Sequence, residues 1–202
     1  MPTDRSITGV ILAGGQASRM DGRDKGLIRL NDRPLIEHVI AAIRPQVDAI
    51  LINANRNIEH YRSYGYPVIS DRIPDYAGPL AGMLAALQQT DSELLLCVPC
   101  DGPWLPADLL SRLQSAMQES AAEISCAHDG ERLHPVFALL KQSVRQPLAD
   151  YIDTGGRAVH RWFKSRKLAQ VDFSDCPELF ININTAEELQ RATAKLSGEV
   201  AE

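Results

Sequence analysis

Short apolar runs alternate along this chain with longer stretches in which apolar residues recur every three or four positions. A continuous apolar run is typical of a buried strand, and the longer spacing is typical of a helix with one buried face. Strands are predicted at 7–13, 48–54, 66–70, 93–99, 122–128, 134–140, 168–173 and 179–184. Helices are predicted at 33–43, 78–89, 106–117, 143–152, 157–166 and 185–196, the last opening with a capping box of Thr185 and Glu188.

Strands that alternate with helices predict an α/β fold, in which a mostly parallel sheet has helices on both faces. The 122–140 stretch breaks this alternation and predicts an antiparallel element. In open α/β sheets, ligands bind beyond the carboxyl ends of the strands. Three stretches are therefore expected at one edge of the sheet: 12–15 (LAGG), 99–101 (PCD) and 182–184 (NIN).

Length and composition restrict the possible functions. The 202 residues suit a single domain over 1–202, and 45% hydrophobic with 23% charged residues is ordinary for a globular protein. A net charge of -5 and a pI of about 5.6 argue against nucleic acid as the main partner. No apolar run approaches the length that crosses a membrane, and the N-terminus has no signal pattern. With four cysteines in such a chain, we expect free thiols and a cytoplasmic location.

Glycines and basic residues follow the first predicted strand. Gly14 and Gly15 would let backbone N–H groups approach a ligand closely. Arg19 can bind phosphate oxygens in a fork, and Lys25 adds a mobile charge. The segment is neither a Walker A motif nor a dinucleotide fingerprint. The pattern leaves two interpretations open: a phosphate-binding loop, or a glycine turn with solvated cations.

Further polar residues come at the ends of predicted strands. Asp101 follows the 93–99 run, where a carboxylate can bind Mg²⁺ together with substrate phosphates or can simply serve a turn. If 179–184 is a strand, Asn182 and Asn184 share a face. Their amides would then bind a nucleotide, a metal-bound water or a second substrate; a polar strand end is the alternative. Asn53 and Asp71 are candidates for the same edge.

Cys97 and Cys100 form a C-x-x-C pair within and after the 93–99 run. A strand directs residues three apart to opposite faces, and no helix N-terminus follows directly to lower a thiol pKa. The sequence therefore argues against a redox or zinc site and predicts packed cysteines.

In their order along the chain, several motifs resemble those of the molybdenum cofactor guanylyltransferases. They are L-A-G-G-x-x-x-R-M-x-G-x-D-K, R-P-L-I-E-H, N-x-N, G-P-L-A-G, C-V-P-C-D-x-P-x-L-P, P-V-F-A-L and N-I-N-T, and they cover most of the chain. The resemblance implies a three-layer, Rossmann-like nucleotide-binding fold of the nucleotide-diphospho-sugar-transferase type. It also implies transfer of GMP from GTP to the terminal phosphate of molybdopterin, which yields pyrophosphate and the molybdopterin guanine dinucleotide.

The resemblance further implies roles for single residues. Nucleotide binding is expected of Leu12, Ala13, Gly14, Gly15, Lys25, Asn53, Asp71 and Asp101. Asp101 is the expected Mg²⁺ ligand, while Arg19 and Lys25 would stabilise the leaving pyrophosphate; these three are the catalytic candidates. The second-substrate or transfer site is expected to contain Gly22, Gly82, Asn182 and Asn184.

The implied nucleophile is a phosphate monoester, which is largely dianionic near neutral pH because its second pKa is about 6, so no general base is required. The implied partners are GTP, the molybdenum cofactor, cofactor-insertion proteins and apo-molybdoenzymes. The basic run 161–167 is either an exposed helix end, the favoured interpretation, or a contact for the molybdopterin phosphate or a partner protein.

Three other functions compete with guanylyl transfer. The chain could be a CTP-dependent molybdopterin cytidylyltransferase, a nucleotide-sugar pyrophosphorylase, or a non-catalytic nucleotide-binding adaptor that delivers the cofactor. The L-A-G-G motif favours GTP over CTP, because Gly14, without a Cβ, leaves more room for a two-ring base. The R-P-L-I-E-H motif favours GTP because it resembles that of the guanine-specific family.

Overall fold

The computed structural model describes residues 6–14, 24–71 and 78–197, which build one seven-stranded sheet and a small two-stranded hairpin. The strands are β1 (Ile7–Leu12), β2 (Arg29–Leu30), β3 (Arg33–Pro34), β4 (Ala49–Asn53), β5 (Val68–Ile69), β6 (Leu94–Pro99), β7 (Ile124–His128), β8 (Leu133–Lys141) and β9 (Leu168–Asp172). Their order across the large sheet is β5-β4-β1-β6-β8-β7-β9. Neighbours are parallel except at β8, which runs antiparallel to β6 and β7. The predicted sheet, with its antiparallel element, is confirmed.

Helices cover both faces of the large sheet. They are α1 (Leu35–Ile43), α2 (Ile58–Arg62), α3 (Pro79–Gln89), α4 (Leu109–Glu119), α5 (Arg145–Asp153), α6 (Val159–Lys164) and α7 (Ala186–Ser197). One apolar core lies between the sheet and α1 and α4, and a second lies between the opposite face and α3, α5 and α6. The three-layer architecture is therefore confirmed, and each predicted helix is present.

The central strand β6 is buried along its full length, as its continuous apolar sequence predicts for a strand covered on both faces. Cys97, within β6, is 0% exposed, and Cys100, the residue after β6, is 6% exposed. All four cysteines are free, and burial raises the pKa of the Cys97 and Cys100 thiols. A buried thiol with a raised pKa is a weak nucleophile and a weak metal ligand. The prediction of packed cysteines is confirmed.

Two small elements escaped the sequence prediction. The β2–β3 hairpin turns through Asn31 and Asp32, whose φ angles are 48° and 61°. These left-handed conformations suit a tight two-residue turn, and asparagine and aspartate tolerate them better than most residues. Helix α2 is only five residues long, too short for an apolar period to be visible.

The prediction of a strand at 179–184 is wrong. The chain forms a 3₁₀ turn at Pro177–Phe180 and then runs without strand pairing to helix α7. The alternation of isoleucine and asparagine suggested a strand with Ile181 and Ile183 on one face, but Ile183 is buried, Ile181 is exposed, and neither lies in the sheet. The capping box before α7 is confirmed: the Glu188 N–H donates to Thr185 Oγ1 (3.1 Å), and the Thr185 N–H donates to Glu188 Oε2 (2.9 Å).

The basic run 161–167 leads into the amino end of β9. Arg166 contacts Glu123, just before the amino end of β7, with 2.5 Å between Nη2 and Oε1. The run therefore lies at the edge of the sheet opposite to the carboxyl ends of β1 and β6, which favours its interpretation as an exposed helix end. A contact with the molybdopterin phosphate or with a partner protein stays a prediction. Within the described part of the chain, no helix has the length and apolar character to cross a membrane.

Candidate active site

The register of three parallel strands aligns the segments that follow them. Leu12, the last residue of β1, lies opposite Asn53 of β4 on one side and Pro99 of β6 on the other. The Ala13 N–H donates to the Asn53 carbonyl (2.8 Å), and the Cys100 N–H donates to the Leu12 carbonyl (3.1 Å). These bonds extend the sheet beyond its last paired residues. The predicted edge therefore exists at the carboxyl ends of β1, β4 and β6.

Three segments that are far apart in sequence meet at Lys25, the first residue of a 3₁₀ turn at Lys25–Leu27. The Lys25 ammonium donates to Asp101 Oδ2 at 3.1 Å and also to Asn184 Oδ1. Both charged side chains are well shielded, at 25% exposed for Lys25 and 11% for Asp101. A buried ion pair is screened less by water and salt than a surface pair. The structure thus brings together Lys25, Asp101 and Asn184, three of the predicted site residues.

Asp24, which directly precedes Lys25, has a buried carboxylate that the sequence interpretation overlooked. Its side chain is 4% exposed. It accepts hydrogen bonds from the Tyr61 hydroxyl (2.5 Å) and from Asn57 Nδ2 (2.9 Å), and Arg56 Nε lies 3.5 Å away. Asp24 and Lys25 are the D-K pair that ends the first motif. The residues that contact Asp24 lie on and beside α2, in a distant segment that no local sequence pattern connects with it.

A second polar network lies at the carboxyl end of β4, next to Gly14. One carboxylate oxygen of Asp71 accepts a hydrogen bond from Asn53 Nδ2 (2.8 Å), and the other accepts one from Asn55 Nδ2 (2.7 Å). The Asp71 N–H returns a bond to Asn55 Oδ1 (2.9 Å), and Asn55 Nδ2 also lies 3.4 Å from the Gly14 carbonyl. Asn53, Asp71 and Gly14 are therefore adjacent, as predicted. Asn55 was not assigned a role, although the N-x-N motif contains it.

Gly82 lies in α3, directly over this network. A Cβ atom at Gly82 would overlap the Asn53 amide oxygen and would come within 2.8 Å of Leu12 Cδ2. A Cβ at Gly14 would likewise come within 2.9 Å of Asn55 Nδ2. The observed contacts thus give both glycines a steric role, which is to let backbone approach the amide cluster. Assignment of Gly82 to the second-substrate site stays a prediction.

Asn182 occupies a different place from Asn184, although the two are close in sequence. Its Oδ1 lies 3.2 Å from where a Cβ of Gly102 would be, and this buried oxygen has no hydrogen-bond donor among the described residues. The Ile183 N–H donates to the Asp101 carbonyl (2.8 Å), which fixes the 182–184 segment beside Asp101. The two asparagines therefore reach the site from a loop and not from one face of a strand.

Gly15, Arg19 and Gly22 lie outside the described residues, so their predicted roles stay predictions. Within the described ranges, no group of three or more His, Cys, Asp and Glu side chains could hold a metal ion. Asp101 is instead a single carboxylate at the carboxyl end of β6, beside one lysine. Such a carboxylate suits an ion that is bound mainly by substrate phosphates and water.

Comparisons with known proteins show which proteins this chain resembles. Residues 9–171 match the family described as "MobA-like NTP transferase domain". The chain is 47% identical to the molybdenum cofactor guanylyltransferase of Shewanella loihica over 95% of this chain and 97% of that protein. It is 49% identical to the molybdenum cofactor guanylyltransferase of Shewanella woodyi over 92% and 94% of the two chains.

The same fold occurs in a solved structure of low sequence identity. The crystal structure of molybdopterin-guanine dinucleotide biosynthesis protein A from Archaeoglobus fulgidus superposes with a TM-score of 0.79 at 20% identity, covering 95% of this chain and 99% of that one. The likeness confirms the predicted nucleotidyltransferase fold.

Proposed function

This chain belongs to the MobA-like NTP transferase family, and we propose that it transfers GMP from GTP to the terminal phosphate of molybdopterin. The products are pyrophosphate and the molybdopterin guanine dinucleotide. The observation that carries the proposal is the meeting of Lys25, Asp101 and Asn184 at the carboxyl ends of β1 and β6. Relatives that share almost half of their residues with this chain are named for the same activity.

The reaction joins two polyanions, so charge neutralisation and alignment are the main tasks of the site. A phosphate oxygen of molybdopterin attacks the α-phosphorus of GTP, and the bond to the bridging oxygen of the pyrophosphate breaks. The attacking phosphate is already largely dianionic near neutral pH. Lys25, together with Arg19, is assigned to the charge that accumulates on the departing pyrophosphate, because a lysine ammonium can follow a moving phosphate.

Asp101 fits Mg²⁺, because this ion is usually held by one or two carboxylates together with substrate phosphates. When bound, Mg²⁺ would supply positive charge to the α-phosphate and the leaving group. Asn184 positions the Lys25 ammonium through its amide oxygen. The buried Oδ1 of Asn182 has no donor among the described residues. It is therefore a suitable acceptor for a donor on the second substrate.

The network of Asn53, Asn55 and Asp71 is assigned to the nucleotide. The Leu12 carbonyl and the Ala13 N–H are already bonded within the sheet, so a base would have to meet other backbone groups of 12–14. Guanine presents two neighbouring N–H donors, on N1 and N2, which a fixed carboxylate such as Asp71 can match. A site that pairs these donors rejects a base that leaves its groups unpaired, at about 1–3 kcal/mol for each orphaned group.

Several broader assignments accompany this function. We treat the chain as one nucleotidyltransferase domain, which the single large sheet supports. Cofactor-insertion proteins and apo-molybdoenzymes are the proposed recipients of the product. The proposed location is the cytoplasm, with which four free cysteines agree.

The test is nucleotide-dependent transfer to molybdopterin by the purified chain, compared across GTP, CTP, ATP and UTP. Pyrophosphate release gives the rate, and mass spectrometry identifies the dinucleotide. We expect kcat/KM for GTP to exceed that for CTP by more than about tenfold. Comparable values for the two nucleotides would favour the cytidylyltransferase, and tight GTP binding without any transfer would favour the adaptor.

A further inference from the structure

A buried negative charge stands directly beside the lysine that the proposed reaction uses. Asp24 immediately precedes Lys25, and its side chain is 4% exposed. Burying a carboxylate costs free energy unless hydrogen bonds and opposite charges compensate for the lost water. The partners of the Asp24 carboxylate must therefore compensate for the cost of burying it.

Those partners come from the segment that contains α2. Tyr61 is fully buried, and its hydroxyl donates to Asp24 Oδ1 at 2.5 Å. Asn57 Nδ2 donates to the other oxygen at 2.9 Å, and Arg56 Nε lies 3.5 Å from it. Burial, Cys100 and the hydrogen bond to Asp24 raise the pKa of the Tyr61 phenol, so this hydroxyl stays a donor throughout the physiological range. Tyr61 therefore keeps the proton that it donates to the carboxylate.

The turn that carries Lys25 is held from its other side as well. A Cβ at Gly26 would lie 2.6 Å from the Tyr61 hydroxyl and 3.4 Å from Cys100 Cβ. The backbone at Gly26 is therefore packed between α2 and the residue that precedes Asp101. The Leu27 N–H closes the turn on the Asp24 carbonyl at 3.1 Å.

We infer that Asp24 and Tyr61 are a positioning pair that fixes the backbone of Lys25, so that its ammonium stays aligned with Asp101. A lysine side chain has four rotatable bonds, and fixing its Cα reduces the conformations in which its ammonium misses the phosphate. Among the described residues, the side chain that pairs with Asp101 is Lys25, so Asp24 and Tyr61 act through Lys25. This inference rests on the proposed function, because it concerns the lysine assigned to the leaving group.

The test is a double-mutant cycle of Tyr61→Phe and Lys25→Ala, assayed for GMP transfer to molybdopterin. Tyr61→Phe removes the hydroxyl and keeps the buried ring. We expect it to lower kcat by about tenfold while KM for GTP changes by less than about twofold, because the lost alignment matters in the transition state. In the Lys25→Ala background, the same change should alter kcat by less than about twofold, since residues that act as a unit are not additive.

Tyr64→Phe is the matched control. Tyr64 is three residues further along, and its hydroxyl lies 3.3 Å from His60 Nε2. Asp24→Asn serves as a second variant, because it removes the charge but keeps an oxygen for Tyr61. The thermal midpoint of each protein is measured, and all assays are run well below the lowest midpoint. We expect Tyr64→Phe to retain wild-type kcat and Asp24→Asn to lower kcat.

Each result decides between the alternatives. An equal loss of kcat from Tyr61→Phe in both backgrounds would mean a merely structural role and would overturn the inference. Wild-type kcat in Tyr61→Phe or in Lys25→Ala would also overturn it, while leaving guanylyl transfer established by the wild-type rate. A wild-type chain that transfers no GMP would overturn the proposed function and the inference together.

Discussion

Lys25 and Asp101 form a salt bridge of 3.1 Å although 76 residues separate them in sequence. The pair places a cation against the carboxylate that is proposed to hold Mg²⁺. An isolated carboxylate at this edge would repel the phosphates of both substrates, and the lysine offsets that charge. The shielding of both side chains preserves this interaction against screening by salt.

Replacing Asp101 tests its role in the reaction directly. Asp101→Asn keeps an oxygen that can accept the Lys25 ammonium but loses the negative charge that a divalent cation requires. We expect pyrophosphate release to fall by at least about 100-fold, without recovery when Mg²⁺ is raised, because transition-state charge is no longer stabilised. The control is Asp108→Asn, an aspartate that is 58% exposed near the start of α4. Near wild-type turnover of Asp101→Asn at limiting Mg²⁺ would contradict the metal assignment.

Gly82 offers a test of the steric role of a helical glycine. In an ordinary helix interior, replacing glycine with alanine stabilises by about 0.8–1 kcal/mol. Here the added methyl would meet the Asn53 amide and Leu12 Cδ2. We therefore expect Gly82→Ala to lower the free energy of unfolding by about 1–3 kcal/mol and to weaken GTP binding, as measured by urea denaturation and calorimetry. A more stable variant with unchanged binding would show that helix propensity prevails and that the contact is relaxed at little cost.

Asn55 is expected to act on the nucleotide through Asp71. Asn55→Ala removes the 2.7 Å bond to Asp71 Oδ2 and the acceptor for the Asp71 N–H. The carboxylate would then be held only by Asn53, through its other oxygen. We therefore expect kcat/KM for GTP to fall by about tenfold and the preference for GTP over ITP, which lacks the N2 amine, to shrink. Gln118→Ala, on α4, provides a polar-to-alanine control away from the network. An unchanged GTP to ITP ratio would mean that Asp71 needs no such support.

The sequence predicted those parts of the fold that depend on local pattern. The continuous apolar runs of β1 and β6 identified the central strands, and the position of Asp101 just after β6 identified the edge of the sheet that holds the candidate site. Parallel neighbouring strands bring their carboxyl ends to the same edge of a sheet, so the same argument also predicted that Asn53 and residues 12–14 lie at this edge.

The residues that were missed depend on contacts between distant segments. Asp24 and Tyr61 meet across 37 positions, and no periodicity in either segment indicates that they form a pair. Asn184 was placed in the site on the assumption of a strand, whereas a loop fixed by the Ile183–Asp101 backbone bond carries it there. The alternation of isoleucine and asparagine predicted a strand with both isoleucines on one face, whereas only Ile183 is buried and Ile181 is exposed.

The contact between Asp129 and His134, near the carboxyl end of β7, predicts how the stability of the protein changes at acid pH. Asp129 accepts His134 Nε2 at 2.6 Å, and the His134 ring packs against Phe137 and Phe180. Burial opposes ionisation of this carboxyl, but the N–H groups of Arg132 and Glu131 and the bond to His134 prevail and hold its pKa well below the usual value. A depressed folded-state pKa stabilises the protein above the unfolded pKa, and that stabilisation is lost as the pH falls through both values.

We therefore expect the free energy of unfolding of the wild-type protein to fall more steeply than that of Asp129→Asn as the pH is lowered from about 5 toward 3. At pH 7 the variant should be the less stable of the two, and the difference should shrink on acidification. Urea denaturation at several pH values measures both effects. Asp153→Asn, an exposed aspartate at the end of α5, is the control and should leave the pH profile unchanged. A constant difference between the wild type and Asp129→Asn from pH 7 to pH 3 would mean that the carboxylate stabilises the fold by shape and hydrogen bonding alone, with no contribution from its charge.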